Sequence, residues 1–84
     1  MVKEVFYTKA ALRALMKMPA NTAERIRRKI IEYAADPASQ ANNIKMLQGQ
    51  DNTIRLRVGD WRVIMEDGAV LAVLKIGPRG GIYD

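Results

Sequence analysis

The residues of this sequence whose types and spacing favour chemistry are basic residues in its C-terminal half. Arginines alternate with apolar residues before and after Gly59-Asp60, and further cations follow in the next apolar segment. Planar guanidinium groups bind phosphate oxygens in pairs and keep their charge at neutral pH. The sequence therefore predicts a site for a phosphate-rich ligand, built from Arg55, Arg57, Arg62, Lys75 and Arg79.

Composition excludes several other kinds of site. The chain has no cysteine and no histidine, which excludes disulfides, thiolate metal sites and histidine general bases. We expect no metal and no cofactor. Fourteen Lys and Arg against nine Asp and Glu give a net charge of +5, which favours a nucleic acid or an acidic protein segment as partner. A basic surface that serves only solubility is the alternative.

Length and hydropathy predict a single folded domain over residues 1–84, with 49% hydrophobic residues. No apolar run approaches the roughly 18 residues of a membrane span. The N-terminal segment does not resemble a secretory signal. We therefore expect a cytoplasmic protein with no membrane partner.

Periodicity in the first half predicts a strand and two helices. Residues 2–7 are β-branched and aromatic, and Thr8 can cap a helix that ends at Met18-Pro19. Its buried stripe is predicted to hold Leu12, Leu15 and Met16. A second helix runs from Pro19 to Asp36, and residues 36–43 form a loop whose far end is fixed to the core by Ile44, Met46 and Leu47.

The second half alternates with a period of two and predicts three strands. Gly59-Asp60 and Asp67-Gly68 are the turns, and the last strand runs from Ala69 to Ile76. The order is β-α-α-β-β-β. We predict an α+β fold in which a helical hairpin covers one face of an antiparallel three-strand meander.

Register then locates the cations. A two-residue turn at Gly59-Asp60 places Arg57 opposite Arg62, and like charges in that position destabilise a sheet. This pairing therefore indicates a role in ligand binding rather than in stabilising the sheet. A two-residue turn at Asp67-Gly68 places Trp61 opposite Leu74 on the core face. The cations would then surround an apolar floor of Ile64, Leu71 and Val73, unless Asp60, Glu66 and Asp67 neutralise them.

Three further features have a purely structural interpretation beside a functional one. The basic run from Glu24 to Lys29 is interpreted as a solvated helix face rather than a docking surface. Trp61 is interpreted as a packing residue. Tyr83 could stack on a base, transfer a proton or simply plug the sheet.

The chain resembles the RelE/ParE superfamily of bacterial type II toxin-antitoxin toxins over most of its length. Three segments carry the resemblance: Lys45-Met46-Leu47-Gln48-Gly49, Arg55-Leu56-Arg57-Val58-Gly59-Asp60-Trp61-Arg62-Val63, and Ile76-Gly77-Pro78-Arg79-Gly80-Gly81-Ile82-Tyr83. The resemblance implies a RelE-like fold. Its RelE-like branch implies cleavage of messenger RNA in the ribosomal A site, and hence an endoribonuclease.

The same resemblance implies roles for individual residues. Arg55 stands where a family lysine often stands, Arg62 and Arg79 match phosphate-binding arginines, and Tyr83 matches a C-terminal catalytic tyrosine. Lys45, Arg57 and Lys75 are the further RNA-binding candidates. Thr53 and Pro78 depart from the family pattern. Because an arginine is a poor general base, Tyr83, Lys75 or the ribosome would have to accept the proton.

The resemblance also implies partners and rivals. Expected partners are a cognate antitoxin, the ribosome and messenger RNA, with operator DNA reached only through the antitoxin. The ParE-like branch, which inhibits DNA gyrase without cutting RNA, is the main alternative. An inactive module that only binds its antitoxin is the third.

Overall fold

A computed structural model of the chain describes residues 2–47 and 52–80. The strands are β1 (Val5–Tyr7), β2 (Ile44–Met46), β3 (Thr53–Val58), β4 (Trp61–Asp67) and β5 (Leu71–Pro78). The helices are α1 (Lys9–Lys17) and α2 (Ala20–Ala35), followed by a 3₁₀ segment (Pro37–Asn43). The predicted α+β class and helical hairpin are confirmed. None of the described helices has the length and apolar character needed to cross a membrane.

All described strands belong to one five-stranded sheet of order β1-β5-β4-β3-β2. The predicted meander is its β3-β4-β5 part. β1 joins β5 in parallel, which makes the sheet mixed. Residues Ile44–Met46, predicted as the end of a loop, instead pair with β3 as an additional edge strand, with Ile44 opposite Leu56.

Local signals fix α1 and its attachment to the sheet. The Thr8 hydroxyl accepts a hydrogen bond from the Ala11 amide at 3.2 Å and donates one to the Leu74 carbonyl at 2.7 Å. The predicted buried stripe is partly wrong, because Leu12 and Met16 are 40% and 82% exposed. Ala11 is buried in their place, and a position one residue away points about 100° off that face.

The core lies between the helical hairpin and the inner face of the sheet. Every second residue of β3 and β4 packs against one face of α2, which consists of Ala23, Ile26, Ile30, Tyr33 and Ala34. Buried apolar surface of this kind is the main stabilising term in a domain of this size. The side chains that are most completely buried are those of Ile26, Ile30, Leu56, Val63, Met65, Leu71 and Val73.

The connection after Asp67 and a bulge in β5 together make the predicted register of the last hairpin wrong. Asp67 pairs with Leu71, so residues 68–70 connect the strands, and the predicted two-residue turn at Asp67-Gly68 is wrong. Val63 pairs with Ile76, but Met65 pairs with Val73, which leaves Leu74 as the additional residue. Strict alternation cannot direct both Val73 and Ile76 to one face, and an additional residue resets the alternation. Trp61 consequently lies opposite Pro78, not Leu74.

The longer connection between β4 and β5 also removes two residues from the predicted outer floor, because a shift by an odd number of residues moves them to the other face. Leu71 and Val73 are fully buried in the core between sheet and helices. They cannot contact a ligand on the other face. Burying both is favoured because each apolar side chain withdrawn from water contributes about 1.5–3 kcal/mol.

A polar cluster joins the N-terminal segment, α2 and the end of β4. The Tyr33 hydroxyl donates a hydrogen bond to Asp67 Oδ2 at 2.7 Å, and the Lys3 ammonium forms an ion pair with the other oxygen of that carboxylate. Partial burial would raise the pKa of Asp67, but the hydrogen bonds from Lys3 and Tyr33 outweigh it and lower the pKa. Burial, with Asp67 beside it, raises the pKa of Tyr33.

Candidate functional site

The outer face of the sheet, away from the helices, carries the predicted cations in two rows. Arg57, Arg62 and Gly77 lie side by side in the first row, which confirms that the two arginines face each other. The second row contains Lys45, Arg55, Ile64 and Lys75. Ile64 is 4% exposed although it lies outside the main core, so this residue of the predicted apolar floor is correctly placed.

The Gly59-Asp60 turn orders arginines from three parts of the chain. Gly59 has a φ of +59°, which suits the first central position of a hairpin turn and favours glycine. Arg62 Nη1 donates to the carbonyls of Gly59 and Trp61, at 3.0 Å each. The Arg79 amide donates to the Asp60 carbonyl at 2.7 Å. The turn therefore holds the guanidinium of Arg62 and the backbone that carries Arg79.

Arg25 reaches the same turn from α2. A Cβ atom placed on Gly59 would lie only 3.2 Å from Arg25 Nη2 and 3.3 Å from Nη1, so the guanidinium rests directly against the glycine. A Cβ at this position would require the guanidinium to shift by a few tenths of an ångström. The absence of a side chain at Gly59 thus serves both the turn and the approach of Arg25.

Two open cavities adjoin at this place. The larger, called here the turn cavity, has a volume of about 490 Å³ and is lined by Arg25, Lys29, Asn43, Arg57, Val58, Gly59, Asp60, Arg62 and Arg79. The smaller, called the edge cavity, has about 180 Å³ and is lined by Asn42, Asn43, Ile44, Lys45, Arg55, Arg57 and Arg62. Since they share Asn43, Arg57 and Arg62, the cavities form one continuous cationic surface.

Few acids neutralise this surface within residues 2–47 and 52–80. The ion pairs found there join Lys3 to Asp67, Arg28 to Glu24 and Lys29 to Glu32. Asp67 is thus engaged far from the arginines, and Glu66 lines neither cavity. Of the predicted neutralising acids, Asp60 alone lines the turn cavity. The excess of positive charge concentrates anions there.

The predicted site residues are placed as follows. Arg62 and Arg79 line the turn cavity together, while Arg55 and Lys45 meet Arg62 in the edge cavity. Arg57 belongs to both cavities, and its Nη2 donates to Asn43 Oδ1 at 3.2 Å. Lys75 is exposed in the second row, opposite Ile64, and lines neither cavity. Tyr83 and Gly49 lie outside the described residues.

Sequence reasoning missed Arg25, Lys29 and Asn43. The prediction of a solvated basic run on α2 holds for Arg28, which is exposed and pairs with Glu24 at 3.1 Å. Arg27 instead lies over the ring of Tyr7, with Cζ 5.5 Å from the ring centroid. Arg25 and Lys29 are four residues apart and share the helix face that borders the turn cavity. That spacing was the available signal.

The geometry suits binding of a polyanion. Arg62 uses one nitrogen to hold the turn, and a guanidinium has five N–H donors in all, so donors remain for phosphate oxygens. No group of His, Cys, Asp and Glu that could hold a metal occurs in the described part of the chain. The side-chain donors that line the two cavities belong to arginine, lysine and asparagine residues.

Comparison with known proteins identifies the family. Residues 5–83 match the family model described as the ParE toxin of the type II toxin-antitoxin system parDE. The chain belongs to this family. It is a type II toxin of the RelE/ParE superfamily, as the sequence motifs indicate. No curated protein sequence matches the chain significantly.

Solved structures of RelE proteins are similar to this toxin. The archaeal RelE-RelB complex of Pyrococcus horikoshii OT3 gives 26% identity and a TM-score of 0.77, covering 96% of this chain and 99% of that one. The RelB-RelE complex of Methanococcus jannaschii gives 25% identity and a TM-score of 0.73, and the match covers 94% of this chain and 95% of that one. The isolated E. coli RelE toxin, at 17% identity and a TM-score of 0.74 over 92% and 84%, shows the same fold.

Proposed function

We propose that this toxin is a ribosome-dependent endoribonuclease that cleaves messenger RNA and thereby inhibits translation. The observation that carries the proposal is the continuous surface of the turn and edge cavities, in which Arg57 and Arg62 are common to both. A single RNA strand presents one negative charge per nucleotide, and this surface offers cations along its length. The similarity to RelE proteins supports the same choice.

The proposed reaction is transfer of a phosphodiester within the RNA. The 2′-oxygen of one ribose forms a bond to the adjacent phosphorus, and the bond from phosphorus to the next nucleotide's 5′-oxygen breaks. The 2′-hydroxyl proton goes to a base, and the leaving oxygen takes up a proton. The products are a 2′,3′-cyclic phosphate end and a 5′-hydroxyl end. Attack of water on the cyclic phosphate, which breaks its bond to the 2′-oxygen, then leaves a 3′-phosphate end.

Arginines supply electrostatic stabilisation in this scheme. Arg62 and Arg79 contact the non-bridging oxygens as negative charge develops on them, and Arg55 and Arg57 assist. The bonds from Arg62 to the turn carbonyls orient its guanidinium before RNA arrives, which reduces reorganisation. Tyr83, Lys75 or a ribosomal group accepts the proton, because guanidinium groups stay protonated at neutral pH.

The proposed partners follow from the activity and the relatives. A cognate antitoxin neutralises the toxin, as the described RelE-RelB complexes suggest. The ribosome and messenger RNA are the targets, which places action in the cytoplasm. Operator DNA is contacted only through the antitoxin.

One finding favours a second candidate. The matching family model carries the ParE description, and the ParE-like branch of the superfamily inhibits DNA gyrase. The cationic surface would then bind an acidic part of gyrase or its DNA. The two candidates differ in whether messenger RNA is cut.

The deciding experiment is cleavage of A-site messenger RNA by purified toxin on programmed ribosomes. Loss of one stabilising donor typically costs about 10²–10³ in rate, so Arg62→Ala and Arg79→Ala should each lose most of the activity. Arg13→Ala is the matched control, since Arg13 is exposed on α1 and lines neither cavity. Intact RNA together with inhibited gyrase supercoiling would overturn the proposal in favour of the second candidate.

A further inference from the structure

We propose that Arg25 and Lys29 of α2 bind a second phosphate of the RNA strand, next to the phosphate held at Arg57 and Arg62. This inference rests on the proposed function and extends the RNA path beyond the outer face of the sheet. It assigns a ligand to the part of the turn cavity that α2 provides.

The position of Arg25 is the main evidence. Its guanidinium lies against Gly59, where both Nη atoms come within 3.3 Å of the place a Cβ would occupy. Arg25 forms none of the ion pairs found within residues 2–47 and 52–80. Holding a long cationic side chain in one place costs conformational entropy, and a bound anion would offset that cost.

Lys29 adds a second donor one helical turn further along. Its ammonium lies 3.4 Å from Glu32 Oε1, a long contact to an oxygen that also accepts a hydrogen bond from Gln40 at 2.9 Å. An ammonium has three donors, so Lys29 retains donors for a ligand. Arg25 and Lys29 therefore border the same side of the turn cavity with unused hydrogen-bonding capacity.

The size and continuity of the cavities favour RNA as the ligand. The turn cavity, at about 490 Å³, falls within the range of roughly 300–1,000 Å³ typical of sites for whole organic ligands, more than a lone phosphate needs. It leads without interruption into the edge cavity through Arg57 and Arg62. Regularly spaced phosphates of one strand match such a path.

Salt dependence of binding measures the number of phosphates contacted. For single strands the slope of log K against log salt steepens by about 0.7 for each neutralised phosphate. The probes are 2′-O-methyl oligouridylates with one, two or three phosphodiester bonds. The 2′-O-methyl group replaces the attacking hydroxyl, so the probes are not cleaved. A fluorescent label is attached through an uncharged linker. Fluorescence anisotropy gives the slope for each length.

We expect the wild-type slope to steepen by about 0.7 on lengthening the probe from one to two phosphodiesters. Arg25→Gln should abolish that increment, while the slope for one phosphodiester stays unchanged. Arg28→Gln removes the same charge from the same helix, but Arg28 pairs with Glu24 and lines neither cavity, so it should keep the increment. An increment retained in Arg25→Gln, or lost equally in Arg28→Gln, overturns the inference.

Gly59→Ala tests the same contact without removing charge. The new methyl group would lie 3.2 Å from Arg25 Nη2, so the guanidinium has to shift by a few tenths of an ångström, and this should reduce the increment. Gly80→Ala is the control, because Gly80 also has a positive φ, of +78°, but a Cβ there meets nothing within 4 Å. Thermal unfolding checks that each variant folds, and Lys29→Gln replaces Arg25→Gln if the latter does not. Equal slopes in Gly59→Ala and wild type would count against the contact.

The binding assay and the ribosome assay fail independently. Cleavage on ribosomes without length dependence in the slope overturns the second phosphate and leaves the proposed function standing. Length dependence that is lost in Arg25→Gln, in a toxin that does not cut RNA, supports the subsite and overturns the endonuclease. Preferential binding of an acidic peptide at Arg25, with no binding of the oligouridylates, overturns the subsite as a site for RNA.

Discussion

Arg57 and Arg62 lie directly opposite each other on β3 and β4, so that like charges share one cross-strand pair. Such a pair destabilises a sheet by a few tenths to about 1 kcal/mol. Neither arginine forms an ion pair among residues 2–47 and 52–80. The pair is thus a local cost to stability at the place where the two cavities meet, a relationship common at binding sites.

Relief of this repulsion should stabilise the fold. We expect Arg57→Gln to raise the free energy of unfolding by up to about 1 kcal/mol at low salt, and the gain should shrink as salt screens the charges. Urea unfolding at two salt concentrations measures it. Lys75→Gln is the control, because Lys75 lies opposite the uncharged Ile64. An equal gain in both variants would mean that net charge, not the facing pair, is responsible.

The register of β5 predicts effects of different size on stability for substitutions of Leu71 and Leu74. Leu71 is fully buried, and Leu71→Ala should cost about 2–5 kcal/mol of stability. Leu74 is the additional, half-exposed residue of the bulge, and Leu74→Ala should cost less than half as much. Chemical denaturation of both variants gives the comparison. A larger loss in Leu74→Ala would support the register of a two-residue turn at Asp67-Gly68, which places Leu74 in the core.

Acid should weaken the cluster around Asp67. The pKa of Asp67 is lowered in the folded state, so its contribution to stability is present above the unfolded pKa of about 4 and is lost as pH falls through the folded value. Asp67→Asn should be less stable at pH 7 and should lose less stability below pH 4 than wild type. Unfolding measured from pH 7 to pH 2 tests this. Asp36→Asn, at the exposed end of α2, is the control that removes a carboxylate outside this cluster.

Inorganic phosphate should stabilise the wild-type toxin more than chloride at equal ionic strength. A ligand that binds only the folded state raises stability by mass action, and Arg62 lines both cavities where phosphate would bind. Phosphate also stabilises proteins generally by exclusion from their surface, which the comparison of variants removes. We expect Arg62→Gln to show a smaller rise in melting temperature than Arg13→Gln. The same rise in both would indicate exclusion alone.

Most of the local structure could be predicted because neighbours in the chain decide it. Thr8 caps α1, Pro19 separates the helices, and Gly59-Asp60 pairs β3 with β4 in the predicted register. The pair of facing arginines followed from that turn. Family membership followed from motifs in the same segments.

The incorrect predictions share a non-local cause. The connection of residues 68–70 brings Val73 to the core face, the bulge at Leu74 brings Ile76 there, and both residues then pack in the core. Likewise, Ile44–Met46 become a strand because an edge of β3 is available to them. A pattern of alternating residues does not indicate which positions in the core or at a strand edge are available.

The sequence by itself determined the charge, the arginine alternation and the register of the β3–β4 hairpin, because a two-residue turn propagates its pairing directly along two adjoining strands. Only the tertiary structure decided that Arg25 of α2 meets Gly59 of the β3–β4 turn. These residues are far apart in the chain, and packing of the helical hairpin on the sheet brings them together. Local sequence therefore determined where the arginines of β3 and β4 lie, whereas packing of the helices on the sheet determined how far the cationic surface extends.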